Sequence, residues 1–384
     1  MIAFIPLRPI YQTNMIETSR AKLVGDCAPP FVGAGVALLG SSMQSVVLHQ
    51  PLDLRLEERA VPAPQAGEVL VRIERGGICG SDLHYYRHGG FGAVRLKEPM
   101  TLGHEIAGRV EAVGAGVVEP KVGTVVAVNP STPCGRCAFC RRGQPIHCTD
   151  MRFLGSAMRT PHVQGGFSQY LVCRAENAIP VPGGSATAGA LAEPLAVCLH
   201  AVGDAPVYGG RILVMGAGPI GALLVVAARF AGAREIVVLD IKDEPLTYAA
   251  KIGADRAINI AATPAELVPF AAGKGYFDVA FEAAGQGSTV VDALNYVRPR
   301  GTIVLVGQGA TTELPVSTVV TKELQLRGSF RFDREFALAV DLIGNRRVDV
   351  SPLISATLPM AEARKAFELA GNKSQSMKVQ LDFT

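Results

Sequence analysis

Gly216-Ala-Gly218-Pro219-Ile220-Gly221 constrains this 384-residue chain more than any other stretch, because of what stands on either side of it. The uninterrupted apolar run Arg211-Ile-Leu-Val-Met215 precedes it, and a helical pattern follows to residue 231. The next apolar run, Glu235-Ile-Val-Val-Leu239, ends in Asp240, nineteen residues after Gly221. Such glycines carry little weight alone, but between a strand and a helix, with an acidic residue about 20 positions on, they mark a dinucleotide-binding βαβ unit. Gly216 permits the tight turn, Gly218 lets the backbone approach a pyrophosphate at the helix N-terminus, and Gly221 allows close helix–strand packing. Pro219 and Ile220 belong to the same cofactor-binding loop. Asp240 is suited to accept hydrogen bonds from the adenosine ribose and to repel a 2′-phosphate, so NAD is preferred. Lys242 softens that exclusion and leaves NADP possible.

The alternation continues with strands at 277–281 and 302–306 and a helix at 288–297 between them, which implies a doubly wound parallel sheet and an α/β fold. Upstream the pattern differs. Short β-type runs at 46–48, 69–73, 107–113 and 124–128 are punctuated by Pro62-Ala-Pro64 and Gly114-Ala-Gly116, which argues a small, mostly antiparallel β-barrel. A chain of this length suits two domains with a site in the cleft between them. We expect a barrel-type domain over 43–194, including a cysteine lobe at 130–150, and a coenzyme domain over 195–330. Residues 331–384, with an amphipathic run at 360–370 and a last strand at 377–383, then return to the first domain.

Residues 1–42 show no period and carry Pro6, Pro9, Pro29 and Pro30. They read as a loose extension or an upstream start, with Met43 as the working N-terminus; a weak targeting peptide is the alternative. The longest apolar run near the start, 31–40, falls short of the roughly 18–20 residues that span a bilayer. A net charge of +3 is far from the basic footprint of a nucleic-acid binder. Neither membrane nor nucleic acid is therefore expected as a partner.

Of eight cysteines, four fall within fifteen residues: Cys134, Cys137, Cys140 and Cys148. Thiolates spaced two, two and seven residues apart can close a tetrahedron around one ion with no open position, the mark of a structural zinc site. The competing iron–sulfur run would end in a three-residue gap and a proline, which are missing here. Disulfides are the weaker third reading, and a reducing cytoplasm follows. Arg136, Arg141 and Arg142 form a solvated rim to this lobe, and Cys27, Cys173 and Cys198 have no partners at ligand spacing. A second ligand set is dispersed: Cys79, His104, Glu105 and Glu193 offer the donor types of an open, catalytic zinc site. Neighbouring His104 and Glu105 would point to opposite faces in a regular strand, so both reach one metal only from irregular backbone.

With these parts in this order, the sequence from Met43 to Thr384 resembles the medium-chain zinc-dependent alcohol and polyol dehydrogenases. Four stretches are similar to the aldonate-oxidising members in particular: 148–158, 274–278, 326–332 and 378–381. The resemblance implies a GroES-like β-barrel catalytic domain and a Rossmann domain. It also implies two zinc ions per chain and a homo-oligomer, dimer or tetramer. Cys79, His104 and Glu193 would hold the catalytic zinc, with Glu105 an additional or alternating ligand. Ser81 would hydrogen-bond the substrate alcohol and His84 relay its proton. The implied reaction is oxidation of L-idonate at C5 to 5-keto-D-gluconate, with a neutral polyol such as sorbitol, xylitol or galactitol as the alternative substrate. A zinc-lobed nucleotide-binding protein without activity is the reading from another class. The carboxylate of an aldonic acid needs a cation, and Arg152 and Arg331 lie in the relevant stretches. Tyr85, Phe153 and Phe330 are expected beside them as pocket walls.

Overall fold

The computed structural model describes residues 41–308 and 311–384. The expectation for residues 1–42, with Cys27, lies outside the described residues except at Ser41 and Ser42. The upstream β-runs form a three-stranded and a seven-stranded sheet. In the larger, Glu68–Gly77 is central: it pairs antiparallel with Glu105–Val113, Tyr170–Arg174 and Lys378–Asp382. Its burial alternates with period two from Val71 to Ile73, beyond the register shift at Leu70/Val71. Val71 and Ile73 enter the core, whereas Arg72 between them reaches Glu111 at 3.3 Å. Pairing throughout these two sheets is antiparallel except where Ile354–Pro359 lies parallel to Lys378–Asp382, so the mostly antiparallel expectation holds. The last strand brings the end of the chain back against the first sheet.

The second sheet has six parallel strands in the order Arg256–Asn259, Glu235–Asp240, Arg211–Met215, Phe277–Glu282, Val297–Leu305 and Gln325–Gly328. Alternate residues of the central strands enter two different apolar clusters. Ile212, Val214, Ile236 and Val238 join one; Leu213, Met215, Val237 and Leu239 join the other. A strand covered on both faces must be apolar throughout, which is why these runs show no alternation. The order reverses beside Arg211–Met215, and the crevice at its C-terminal end is where ligands of such sheets bind.

One strand departs from expectation. Val297–Leu305 begins well before residue 302, because Val297 pairs with Phe277 and the register then jumps to Thr302 opposite Val279. Residues 298–301, Arg-Pro-Arg-Gly, are spent on that excursion, with Arg300 at φ 62°, and read as a turn in the sequence. The helix Ala192–Gly203 joins the two sheets: its buried residues share one apolar cluster with Ala107, Val125 and Ala127 of the first sheet and with the helices Pro219–Phe230 and Glu335–Gly344. Among the described residues no helix is long and apolar enough to cross a membrane.

Candidate active site

Cys79 precedes the helix Gly80–His88, and its N–H donates to Asp82 Oδ2 at 3.0 Å. The other oxygen of this fully buried carboxylate accepts from Gly103 N–H at 3.2 Å, so Asp82 ties the Cys79 turn to the loop that carries His104. Gly103 adopts φ +95°, where a side chain is disfavoured and a Cβ would collide with Phe167. The strand Glu105–Val113 begins only after His104. That irregular step lets two consecutive side chains turn the same way: one ligand atom each from Cys79, His104 and Glu105 lies within 4.8 Å of the others. Glu193, near the start of Ala192–Gly203, is buried close by but outside that set of three.

Glu105 does not stand free. Lys378 Nζ lies 2.6 Å from Oε1 and at the same distance from Oε2, but only Oε1 has hydrogen-bond geometry. The lysine also donates to the Ile78 carbonyl at 3.3 Å. Opposite Glu105 in the sheet stands Gly77, where a Cβ would fall 2.2 Å from Glu105 Oε2; the carboxylate occupies space a side chain would need.

The cluster is short of positive charge. Burial, then repulsion from Glu105, pushes the Cys79 thiol up to about 11, and burial pushes the Glu193 carboxyl up to about 8. His104 Nδ1 and Glu105 Oε2 are buried with no hydrogen-bond partner among the described residues, Nδ1 lying 3.7 Å from Asp82 Oδ1. Orphaned buried donor atoms beside acids held protonated by burial fit a dication, which would compensate the charge and displace the protons.

The four sulfurs of Cys134, Cys137, Cys140 and Cys148 also lie within 4.8 Å of one another. Backbone N–H groups of Cys134 and Asp150 approach Cys148 Sγ at 3.2 and 3.3 Å, and those of Cys137 and Cys140 approach the preceding cysteine sulfur. These donors favour thiolates, and no described cysteine forms a disulfide. Cys198 is buried against the Ile220 carbonyl at 3.4 Å, a packing role.

In the nucleotide crevice Gly216 has φ +97°, and a Cβ on Gly221 would meet the Gly216 carbonyl at 1.8 Å. Among the described residues a Cβ on Gly218 would meet nothing within 4 Å, and no side chain caps the helix Pro219–Phe230 that starts there. Open space before uncapped N–H groups fits a pyrophosphate. Asp240 Oδ2 accepts from Ala217 N–H at 2.7 Å, which fixes the carboxylate beside the glycine loop. Lys242 turns away to Ser374 Oγ at 2.8 Å.

The remaining expected residues fall unequally. Ser81 lies beside Cys79, its hydroxyl favouring the thiolate. His84 is exposed on the next helical turn, with rings of His88 and Phe91 each 6.1 Å away; burial and then His88 hold it below the ordinary imidazole range. Tyr85 is a core residue whose hydroxyl accepts from Ala157 N–H at 3.0 Å. In the strand Arg152–Phe153 successive side chains face opposite ways, so Phe153 is buried with its ring 5.5 Å from that of His104 while Arg152 is exposed. Arg331, at φ +55°, places its guanidinium over Phe153 at 4.2 Å and over Phe330 at 4.9 Å. Its pairing is with Met158 Sδ at 3.0 Å; among the described residues no carboxylate lies within 4.0 Å of it. Sequence reasoning missed Lys378, Gly77 and Asp82. Only Lys378 left a signal, as the first residue of the stretch 378–381 already singled out by its resemblance; it opens the last strand, Lys378–Asp382.

Family models for the alcohol dehydrogenase GroES-like domain and for zinc-binding dehydrogenases match residues 65–183 and 219–345. L-idonate 5-dehydrogenase (NAD(P)(+)) of Escherichia coli K12 is 44% identical over 343 residues, 88% of this chain and 98% of that one. Sorbitol dehydrogenase of Bacillus subtilis 168 is 35% identical over 88% of this chain and 97% of its own. The crystal structure of the E. coli L-idonate 5-dehydrogenase superposes with a TM-score of 0.85 at 42% identity, covering 89% of this chain and 98% of that one. An alcohol dehydrogenase from E. coli CFT073 complexed with NADH gives 0.81 at 32%, covering 89% and 100%. With two candidate metal clusters, a nucleotide crevice and this similarity over nearly nine-tenths of its length, the chain is an oxidoreductase of the medium-chain zinc-dependent alcohol and polyol dehydrogenase family, acting on CH–OH donors.

Proposed function

We propose that this enzyme oxidises L-idonate at C5 to 5-keto-D-gluconate, reversibly, with NAD preferred, NADP accepted and two zinc ions per chain. The observation that carries the substrate is Arg331: a half-buried guanidinium with no carboxylate partner among the described residues, one aromatic ring away from His104. A cation partly withdrawn from water and left unpaired by the described residues is a receptor for an anion, and its planar fork suits a carboxylate. The E. coli relative named for L-idonate supports the same choice.

Zinc, when bound, supplies a Lewis acid for the substrate hydroxyl, and the nicotinamide supplies the hydride acceptor. Cys79, His104 and Glu193 hold the metal, with Glu105 held by Lys378 as an additional or alternating ligand. Ser81 receives the hydroxyl proton, and His84, neutral at pH 7 because its affinity for protons is lowered, passes it to solvent. Arg331 fixes the carboxylate so that C5 presents its hydrogen to the nicotinamide; Tyr85, Phe153 and Phe330 wall the pocket. Cys134, Cys137, Cys140 and Cys148 hold the second zinc. We further propose a homo-oligomeric, cytoplasmic enzyme; light scattering tests the first.

The test compares Arg331→Ala with Arg152→Ala on L-idonate and on sorbitol. Loss of a charge-assisted contact of about 2–3 kcal/mol lowers kcat/KM for L-idonate by roughly 30- to 150-fold in Arg331→Ala, with little change for sorbitol. Equal losses on both substrates would reject the carboxylate role and favour a neutral polyol, the reading that the 35% identical sorbitol dehydrogenase supports.

A further inference from the structure

Arg331 lacks the anchors that usually locate a long cationic side chain. Among the described residues its guanidinium has neither a carboxylate within 4.0 Å nor a hydrogen bond to a carbonyl, only the thioether of the half-exposed Met158. Its backbone is left-handed, uncommon for a residue with a Cβ, and it lies between the strand Gln325–Gly328 and the helix Glu335–Gly344 rather than within either. What locates the guanidinium is two aromatic faces, Phe153 and Phe330. Both lead to the four-cysteine lobe.

Phe153 packs in the small apolar core of that lobe with Cys148 and Met151, and its strand pairs with Ser131–Thr132. Phe330 stacks on His147, ring centroids 6.4 Å apart and planes within 16°. His147 ends the short turn Pro145–His147 directly before Cys148, and Phe139, between Cys137 and Cys140, lies 6.1 Å from the same imidazole. The lobe therefore touches the ring beneath the arginine on one branch and supplies the other ring itself.

We propose that the four-cysteine lobe orients the substrate: through His147 on Phe330, and through Phe153, it holds the Arg331 guanidinium where the substrate carboxylate arrives. His147 is a positioning residue for aldonate recognition. This inference rests on the carboxylate role proposed for Arg331. Removing one ring lets the guanidinium sample other rotamers, and each productive encounter must then restore its orientation. The effect falls on binding of the charged substrate, since a neutral polyol makes no demand on the arginine.

Steady-state kinetics of His147→Ala, His147→Phe and Phe330→Leu on L-idonate and sorbitol test it, with zinc content measured for each variant. His147→Ala is expected to raise KM for L-idonate roughly three- to tenfold, the span of one aromatic contact, with kcat and both sorbitol constants within about twofold of the parent. His147→Phe restores the stack and with it KM. Phe330→Leu, whose change lies outside the lobe, removes the same ring contact; as a pocket wall it affects both substrates, but it is expected to raise KM for L-idonate at least about threefold more than KM for sorbitol, and it carries the test if His147→Ala loses zinc. Parallel losses on both substrates, or a His147→Phe variant as impaired as His147→Ala, would overturn the inference. With Arg331→Ala measured alongside, the two proposals separate: if Arg331→Ala discriminates and the His147 and Phe330 variants do not, only the role of the lobe falls. If Arg331→Ala does not discriminate, both fall.

Discussion

Replacing Lys378 by methionine removes the ammonium group that meets Glu105. The pair is almost fully buried, 3% and 1% exposed, with Nζ 2.6 Å from Oε1. Burial alone would make the lysine easier to deprotonate, but attraction to Glu105 outweighs it and holds the group above its ordinary range, so it stays an ammonium. Lys378→Met strands a carboxylate next to Cys79 and Glu193. Removing one partner of a buried pair costs about 3–5 kcal/mol, whereas replacing both by apolar groups is often neutral. In chelator-treated protein Lys378→Met should therefore lose about that much, and the double variant Lys378→Met with Glu105→Leu should recover most of it. Zinc supplies the missing charge, so the gap between zinc-loaded and chelated midpoints should be wider in Lys378→Met than in the parent. Urea unfolding followed by circular dichroism, in a double-mutant cycle with and without zinc, measures all of these. A loss below about 1 kcal/mol in the chelated single variant, or a double variant no more stable than Lys378→Met, would refute the reasoning.

The neighbouring glycine makes a steric version of the same argument. In Gly77→Ala the new Cβ would lie 2.2 Å from Glu105 Oε2 and 3.3 Å from Glu105 Cβ, and Lys378 leaves the carboxylate little room to swing. A cost of about 1–3 kcal/mol is expected, with one zinc fewer per chain by metal analysis while the cysteine lobe keeps its own. His200 Nδ1 and Glu335 Oε1, 3.3 Å apart, join the helices Ala192–Gly203 and Glu335–Gly344. The hydrogen bond to Glu335 raises His200 above its ordinary 6.5, and despite burial His200 lowers Glu335 from 4.5 to about 2. The histidine contribution is full below 6.5 and fades as pH rises through its raised value; the glutamate contribution is full above 4.5 and fades as pH falls towards 2. Glu335→Gln should thus cost about 2 kcal/mol near pH 5.5 and clearly less above pH 8; unfolding midpoints that differ equally at both would contradict the pairing. Asp240→Ser removes the charge that repels a 2′-phosphate and should raise kcat/KM with NADP relative to NAD at least about tenfold. An unchanged ratio would remove Asp240 from coenzyme selection.

The legible features of this chain are those whose geometry is local. Gly216, Gly218 and Gly221 act within one turn, so their roles follow from spacing and flanking apolar runs, and the parallel sheet has the order such a unit anticipates. Four cysteines within fifteen residues can close on one another across short turns, so the lobe is legible from spacing, and their sulfurs do converge. The irregular backbone expected at His104 is there, since neighbouring side chains share a target only off the regular strand. The excursion at residues 298–301 was hidden because Arg-Pro-Arg-Gly reads as a turn whether or not the strand resumes.

By itself the amino-acid order determined a dinucleotide unit, a thiolate lobe and a set of metal-type donors spread along the first half. Tertiary structure alone decided which charges are buried together. Lys378 reaches Glu105 across 273 residues because the final strand pairs with Glu68–Gly77, and one step of register would have turned the lysine to the other face. The same alternation exposes Arg152 and buries Phe153, leaving Arg331 to face the site. Spacing encodes which backbone groups meet nearby; the burial of a charge depends on partners that only the assembled sheets bring within reach.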